Sequence, residues 1–219
     1  MKTKPKTCFP CVLLAFLTLQ VNVLAPFCVI HTFLPDLIDQ KVSNIVNISS
    51  LIAFLPSSRL SAYSASKAAL CAMSNCLRLE MKVNHYDHIR VSTVCPQFVT
   101  TGMFDGAYQN EHLGHFIKEC VFPDNKPEDI AREVVYAITH EKEEIILPRL
   151  VGFLLPFAAL FPRVITDYLF AFMGGGHGMD GFKGRGKEWN RSWRLEKREK
   201  EEEEVVVTKE NTVIFCNVK

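Results

Sequence analysis

With 219 residues, the chain is long enough for one domain with a real core and short for two. Hydrophobic residues make up 48% of it and the formal net charge is +1, which excludes general disorder and gives no electrostatic reason for a nucleic-acid partner. The eight cysteines are scattered and read as buried thiols of a reducing compartment. Cys8 and Cys11 have C-x-x-C spacing, but no second pair or histidine cluster completes a zinc site, so no metal ligands are assigned.

Residues 1–20 begin with Lys2, Lys4 and Lys6 and run into Val12-Leu13-Leu14-Ala15-Phe16-Leu17. A basic start before an apolar run looks like a signal sequence, with Val23 and Ala25 placed as at a cleavage site. The run is shorter than the ~20 apolar residues of a spanning helix. Cleavage after Ala25 would also remove Asn22; the preferred reading is an uncleaved membrane-tropic or accidental start, and the competing one is a replaced or truncated front of the domain. Val21 to Leu37 has helical spacing (Val21, Leu24, Phe27, Cys28, Ile30), with Pro26 and Pro35 as points of delay or kinking.

Val42 to Ile48 is nearly continuous in apolar residues, as buried parallel strands are, and it ends in Ser49-Ser50. A second helix opens near Ser61 and runs to about Val83. Ala65, Ala68, Ala69 and Ala72 give it a small-residue face suited to close packing, and Leu70, Met73 and Leu77 give it bulk. Tyr63 and Lys67, four apart, lie on one face of that helix, so phenol and ammonium share one space. An adjacent ammonium is expected to lower a phenol pKa that starts near ~10 and so to prepare a proton donor or acceptor near neutral pH. Ser50 sits where an apolar strand ends, a usual place for site residues in an α/β fold.

His85 and His88 fall in a turn without a third ligand and read as solvated. Ile89 to Val94 is the next strand, ended by Pro96. Pro127-Glu128-Asp129 opens a helix with acids in its first turn, favourable to the helix dipole, and this leads to a third strand at Ile145-Ile146-Leu147. Residues 150–173 are long and apolar enough to cross a bilayer but are interrupted by Pro156, Pro162, Arg163 and Asp167. A bent or interfacial segment in contact with the membrane is the preferred reading. Gly174 to Gly178 is a flexible break and not a nucleotide loop, since no strand precedes it. Lys183 to Glu204 reads as a solvated charged tail, and Val205 to Lys219 returns to short apolar runs with no evident partner.

The set Asn-Ile-Ser-Ser at a strand end, Tyr-Ser-Ala-Ser-Lys-Ala-Ala opening a helix, Asn22 upstream and Val-Cys-Pro-Gln-Phe-Val-Thr-Thr after the next strand resembles the C-terminal catalytic half of a short-chain dehydrogenase/reductase. Ser-Ala-Ser-Lys, the Pro-Glu-Asp-Ile-Ala helix and the apolar stretch at 150–173 resemble most the microsomal retinol and 17β-hydroxysteroid dehydrogenase branch, family 16C. The resemblance implies an α/β fold, the C-terminal part of a doubly wound parallel sheet of about three strands with flanking helices, followed by an apolar helical segment. It implies Tyr63 as acid/base, Lys67 as its partner and ribose ligand, Ser50 as the holder of the substrate oxygen and Asn22 as part of a proton relay. Tyr63, Lys67, Pro96, Val99 and Thr101 would contact the cofactor, NAD or NADP, although Gln97 stands where the family has glycine.

The implied substrate is a lipophilic alcohol or carbonyl, retinol-like or steroid-like, at the cytoplasmic face of the endoplasmic reticulum membrane, with a homo-oligomer plausible through the Tyr63 helix. The organisation expected is an apolar segment at 1–20, a partial catalytic region at 21–149, a membrane-associating segment at 150–173 and a charged tail at 174–219. Nothing before Asn22 supplies the family's Gly-rich turn, so a truncated, catalytically inactive relative stands as the alternative to an active oxidoreductase. The edge of the strand ending at Ser50 is expected to be open and apolar, an aggregation hazard.

Overall fold

The computed structural model describes residues 12–97, 99, 125–158, 160–172 and 212–216. Strand β1 (Ser43–Ile48) is followed by helix α3 (Ser61–Val83) and strand β2 (Ile89–Cys95), then by helix α4 (Pro127–Thr139) and strand β3 (Glu144–Ile146). Both crossovers join parallel neighbours, with Ile45 opposite Val91 and Val94 opposite Ile145. This is the βαβ arrangement expected of buried parallel strands separated by amphipathic helices, although the strands are not continuously apolar: β1 buries Ser43, Asn44 and Asn47, and β2 buries Ser92 and Thr93.

The sheet is buried on both faces. Ile45, Ile89 and Val91 pack with Leu77 and Met81 of α3 and with Ile30 and Leu37 of helix α2 (Ala25–Ile38). On the other face Val46, Val94 and Ile145 pack with Val134 and Ala137 of α4. Neighbours along β1 therefore point to opposite helical layers, and each fully buried Ile or Val side chain stabilises the fold by roughly 1.5–3 kcal/mol. The buried face of α3 holds Leu70, Leu77 and Met81, together with Ser64, Ser66, Lys67, Cys71 and Ser74. Its Ala65, Ala68 and Ala72 are exposed and Ala69 is half-buried.

The end of α3 is set by a backbone device. His85 takes φ 61°, its N–H donates to Lys82 O, and Tyr86 N–H donates to Met81 O. Together these satisfy the last carbonyls of the helix. Beyond this turn, His88 is more than a solvated loop residue, for its Nε2 lies 3.0 Å from Ile38 O at the end of α2.

Helix α1 (Val12–Leu19) continues into α2 through a π-helical turn at Gln20–Leu24, giving one helical run from Val12 to Ile38. Pro26 has no N–H to give to the carbonyl four residues back, and the wider turn just before it, with Ala25 N–H bonded to Gln20 O, accommodates that loss. The apolar start is thus not a short run. It belongs to a helix of 27 residues that is long and apolar enough to cross a membrane by length and composition. The second half of that helix, however, buries Pro26 and packs Ile30 and Leu37 against the sheet.

Residues 150–173 do not form one long helix. Helix α5 (Arg149–Ala158) and helix α6 (Arg163–Phe172) are separated near Pro162, and each is too short to span a bilayer. Arg149 anchors the start of α5, donating to Glu133 at 2.8 Å and lying 4.6 Å from the Tyr136 ring centroid.

The expectation of an open edge on β1 is corrected here. Strand β4 (Thr212–Cys216), from the stretch to which no partner could be assigned, pairs in parallel with β1, placing Ser43 opposite Thr212 and Asn47 opposite Cys216. The sheet order is β3-β2-β1-β4. An apolar edge whose N–H and C=O groups lack partners is costly, and five residues of compatible backbone satisfy it.

Candidate active site

The strand ends of β1 and β2 are fastened to each other before any side chain is considered. Ser49 N–H donates to Val94 O at 2.8 Å, and Leu51 N–H donates to Pro96 O at 2.8 Å. Ser50 lies between these bonds. Its hydroxyl donates to Pro96 O at 3.3 Å and accepts from Ile52 N–H at 3.4 Å, capping the short 3-10 turn Leu51–Ala53. Its side chain also faces the Tyr63 phenol and favours its charged form. Pro96 therefore serves as an acceptor that fixes the Ser50 loop.

Tyr63 and Lys67 project from the first turns of α3 toward the end of β1. The Lys67 ammonium donates to Ile48 O at 2.9 Å and stands 5.8 Å from the Tyr63 ring centroid, while the residue as a whole is only 6% exposed. Asn22, in the π-helical turn, donates through Nδ2 to Ser66 Oγ at 3.0 Å, and Ser66 donates to Tyr63 O at 2.8 Å. The arrangement joins β1, the Ser50 loop, α3 and the N-terminal helix around one phenol.

The electrostatics differ from the expectation that Lys67 lowers the Tyr63 pKa. Burial raises Tyr63 above its ordinary value, and the facing Ser50 side chain only partly offsets this. Burial also pushes Lys67 below the usual lysine range, with the Cys71 and Cys95 thiols acting in the other direction. Its ammonium is directed at a carbonyl of β1 and does not hold the phenol low. Spacing on a helix predicts who shares a face; it does not predict how dry that face is.

Val99 lies near this region of the chain and forms an isolated parallel bridge with Asn125, while Thr101 falls outside the described residues. Among the described residues no strand, glycine turn and helix N-terminus form a pyrophosphate cradle. The chain does hold one G-x-G-x-x-G spacing, Gly176 to Gly181; it follows a helix instead of a strand and lies outside the described residues. Reasoning from motifs missed Ser66, the link from Asn22 to α3. Its place three residues after Tyr63, where a hydroxyl can reach back to a helix carbonyl, was the available signal.

Residues 17–112 match the family model described as short chain dehydrogenase. Retinol dehydrogenase 10-B of Xenopus laevis is 27% identical over 157 residues, covering 72% of this chain and 45% of the relative. Short-chain dehydrogenase/reductase family 16C member 6 of Bos taurus is 32% identical over 129 residues, covering 59% and 39%. The chain thus spans about half the length of the retinol dehydrogenases it matches, or less. A short chain dehydrogenase from Burkholderia cenocepacia, solved in complex with NADP, shares the fold with a TM-score of 0.54 at 20% identity, covering 73% of this chain and 60% of that one. Residues 17–112 are thus similar to the short-chain dehydrogenase family, and the chain's relatives include members of its retinol dehydrogenase and 16C branch.

Proposed function

We propose that the chain carries the catalytic part of an NAD(P)-dependent oxidoreductase interconverting a lipophilic alcohol, retinol-like or steroid-like, and its carbonyl. The observation that carries this reading is the Tyr63 phenol facing Ser50, with Lys67 one helical turn away and bonded to Ile48 O, at the C-terminal ends of two parallel strands. Tyr63 gives its proton to the carbonyl oxygen during reduction and takes it from the alcohol during oxidation. The Ser50 hydroxyl holds that oxygen beside the phenol, and Lys67, fixed on Ile48 O, would hold the ribose of the bound dinucleotide. Bound nicotinamide supplies or accepts the hydride. Asn22, tied through Ser66 to the Tyr63 backbone, sets the position of the α3 N-terminus and stands where a proton relay would begin. Retinol dehydrogenase relatives and the exposed apolar residues of α5 and α6 support a membrane-bound site of action, and we place it at the cytoplasmic face of the endoplasmic reticulum.

A second reading is supported by β4. In a doubly wound sheet the dinucleotide-binding strands continue from the edge of β1 that β4 occupies. A chain completed in this way is a family relative without cofactor binding, with a role in membrane or protein association. Titration of the purified chain in mild detergent with NADH and NADPH, followed by nicotinamide fluorescence or heat, separates the two. Saturable binding supports the oxidoreductase and directs retinol and steroid assays. A folded, monodisperse sample that binds neither nucleotide supports the second reading and removes the first.

A further inference from the structure

Two thiols lie directly beneath the candidate site and take no part in the proton chemistry. Cys71 of α3 and Cys95 at the end of β2 are both buried and free, with their Sγ atoms 3.7 Å apart. The Cys71 thiol donates to Ser49 Oγ at 3.1 Å, and Ser49 Oγ donates to Lys67 O at 2.9 Å. Cys95 precedes Pro96, whose carbonyl holds both Leu51 N–H and Ser50 Oγ. The pair thus joins the two backbone segments that position Ser50 and Lys67.

We infer that Cys71 and Cys95 are an oxidisable dithiol, closed to a disulfide by a small hydroperoxide, whose closure shifts the strand end carrying Ser50 relative to the helix turn carrying Lys67. A disulfide needs its sulfurs at about 2.05 Å, so closure draws the two together by roughly 1.7 Å. In a close-packed interior such an approach is shared by the backbones on either side. It also removes the hydrogen that Cys71 gives to Ser49, leaving that hydroxyl to reorient.

The chemistry assigns an order to the two sulfurs. A hydrogen bond from Cys95 holds the Cys71 thiol below its ordinary range, with smaller help from Ser49 and Lys67 against burial and Glu144. The same pairing and burial push Cys95 up. The Cys71 thiolate, which is the nucleophilic form, attacks one peroxide oxygen; the O–O bond breaks, and with one proton taken up the leaving oxygen departs as water or an alcohol. Cys71 is then a sulfenic acid. Cys95 sulfur attacks it, the S–S bond forms, the S–O bond breaks, and the Cys95 proton leaves with the hydroxide as water. Two thiols are oxidised by two electrons, and one hydroperoxide is reduced by two.

The test uses the full chain, folded in mild detergent, with Cys76→Ser to simplify peptide 68–78, since Cys76 is exposed and lies outside the pair. Hydrogen peroxide is added at about equimolar amount, free thiols are alkylated, and tryptic peptides are read by mass spectrometry. The expected product is peptide 68–78 linked to peptide 91–118 through Cys71 and Cys95, two hydrogens lighter than the reduced pair and abolished by dithiothreitol. Oxidation of Cys28 without this linkage, or linkage only after unfolding in urea, overturns the proposal. Hydrogen exchange of the linked form tests the movement: altered protection around Ser49–Ile52 and Lys67–Cys71 is expected, and unchanged protection there overturns it. The role of Ser50 and Lys67 in turnover rests on the proposed function, but neither readout requires activity or nucleotide binding, so the two readings fail separately.

Discussion

Lys67 keeps its ammonium beside one backbone carbonyl in a nearly dry position, and the direction of its pKa shift turns that into a stability prediction. Its folded pKa lies below the ordinary 10.5, so between those two values the unfolded chain binds more protons than the folded one. Stability therefore carries the full burial penalty at low pH and rises as pH climbs through the folded pKa toward 10.5. Urea unfolding of the wild type and of Lys67→Met across that window should show a rise in the wild type that the variant lacks. Tyr63 acts oppositely, losing stability above its ordinary value of 10.0, but it is present in both chains and cancels in the comparison. If the oxidoreductase reading holds, Tyr63→Phe should lower turnover on the order of 10²–10⁴-fold, with nucleotide affinity and melting temperature little changed; a variant retaining full rate would remove Tyr63 from its role. The proximity of Tyr63, Lys67 and Ser50 was legible because i, i+4 spacing and a strand end are local features. The sign of the Tyr63 shift was not, since burial depends on what other elements bring to the site.

Strands and helices follow the same division between local and remote causes. β1, α3, β2, α4 and β3 were readable because each combines a clear hydrophobic period with its own punctuation, such as Pro96 after β2 or Pro127 opening α4. Helix α5 adds a packing requirement that hydropathy did not reveal. A Cβ on Gly152 would meet Ile146 Cβ at 3.0 Å and Ile146 O at 3.3 Å, so α5 sits on β3 only because that residue has no side chain. Gly152→Val should destabilise the chain by about 1–3 kcal/mol in denaturant unfolding. Strand β4 was not readable as a partner of β1, because short apolar segments carry no address and parallel pairing is decided by a free edge elsewhere. Ile214 pairs with Ile45, and Ile214→Pro removes a ladder donor in the middle of β4. The expected result is a shift from monodisperse to aggregated material in light scattering; unchanged dispersity would mean that β4 is not needed to protect β1.

At the scale of the molecule, an unpartnered apolar surface stands out among the described residues. Phe153, Leu154, Phe157, Phe161, Val164 and Tyr168 are all exposed on α5, α6 and the turn between them. If this region lies in a lipid interface, Phe153→Ser with Phe157→Ser should reduce co-flotation with phosphatidylcholine vesicles by roughly tenfold or more, given the apolar area of two buried phenylalanines. Equal flotation of variant and wild type would leave α1 as the membrane-facing element. The apolar character of both regions could be read from composition, whereas the division between α5 and α6 and the commitment of α2 to the sheet needed the tertiary arrangement. The placement of β4 also has a consequence in time. Ser43 and Thr212 are neighbours in the sheet but lie about 170 residues apart in the chain. At synthesis rates of about 5–20 residues per second, β1 leaves the ribosome roughly 10–30 seconds before the strand that covers it. During that interval the β1 edge that β4 covers is open, and shielding of that edge by a chaperone until β4 arrives is expected to raise the yield in the cell.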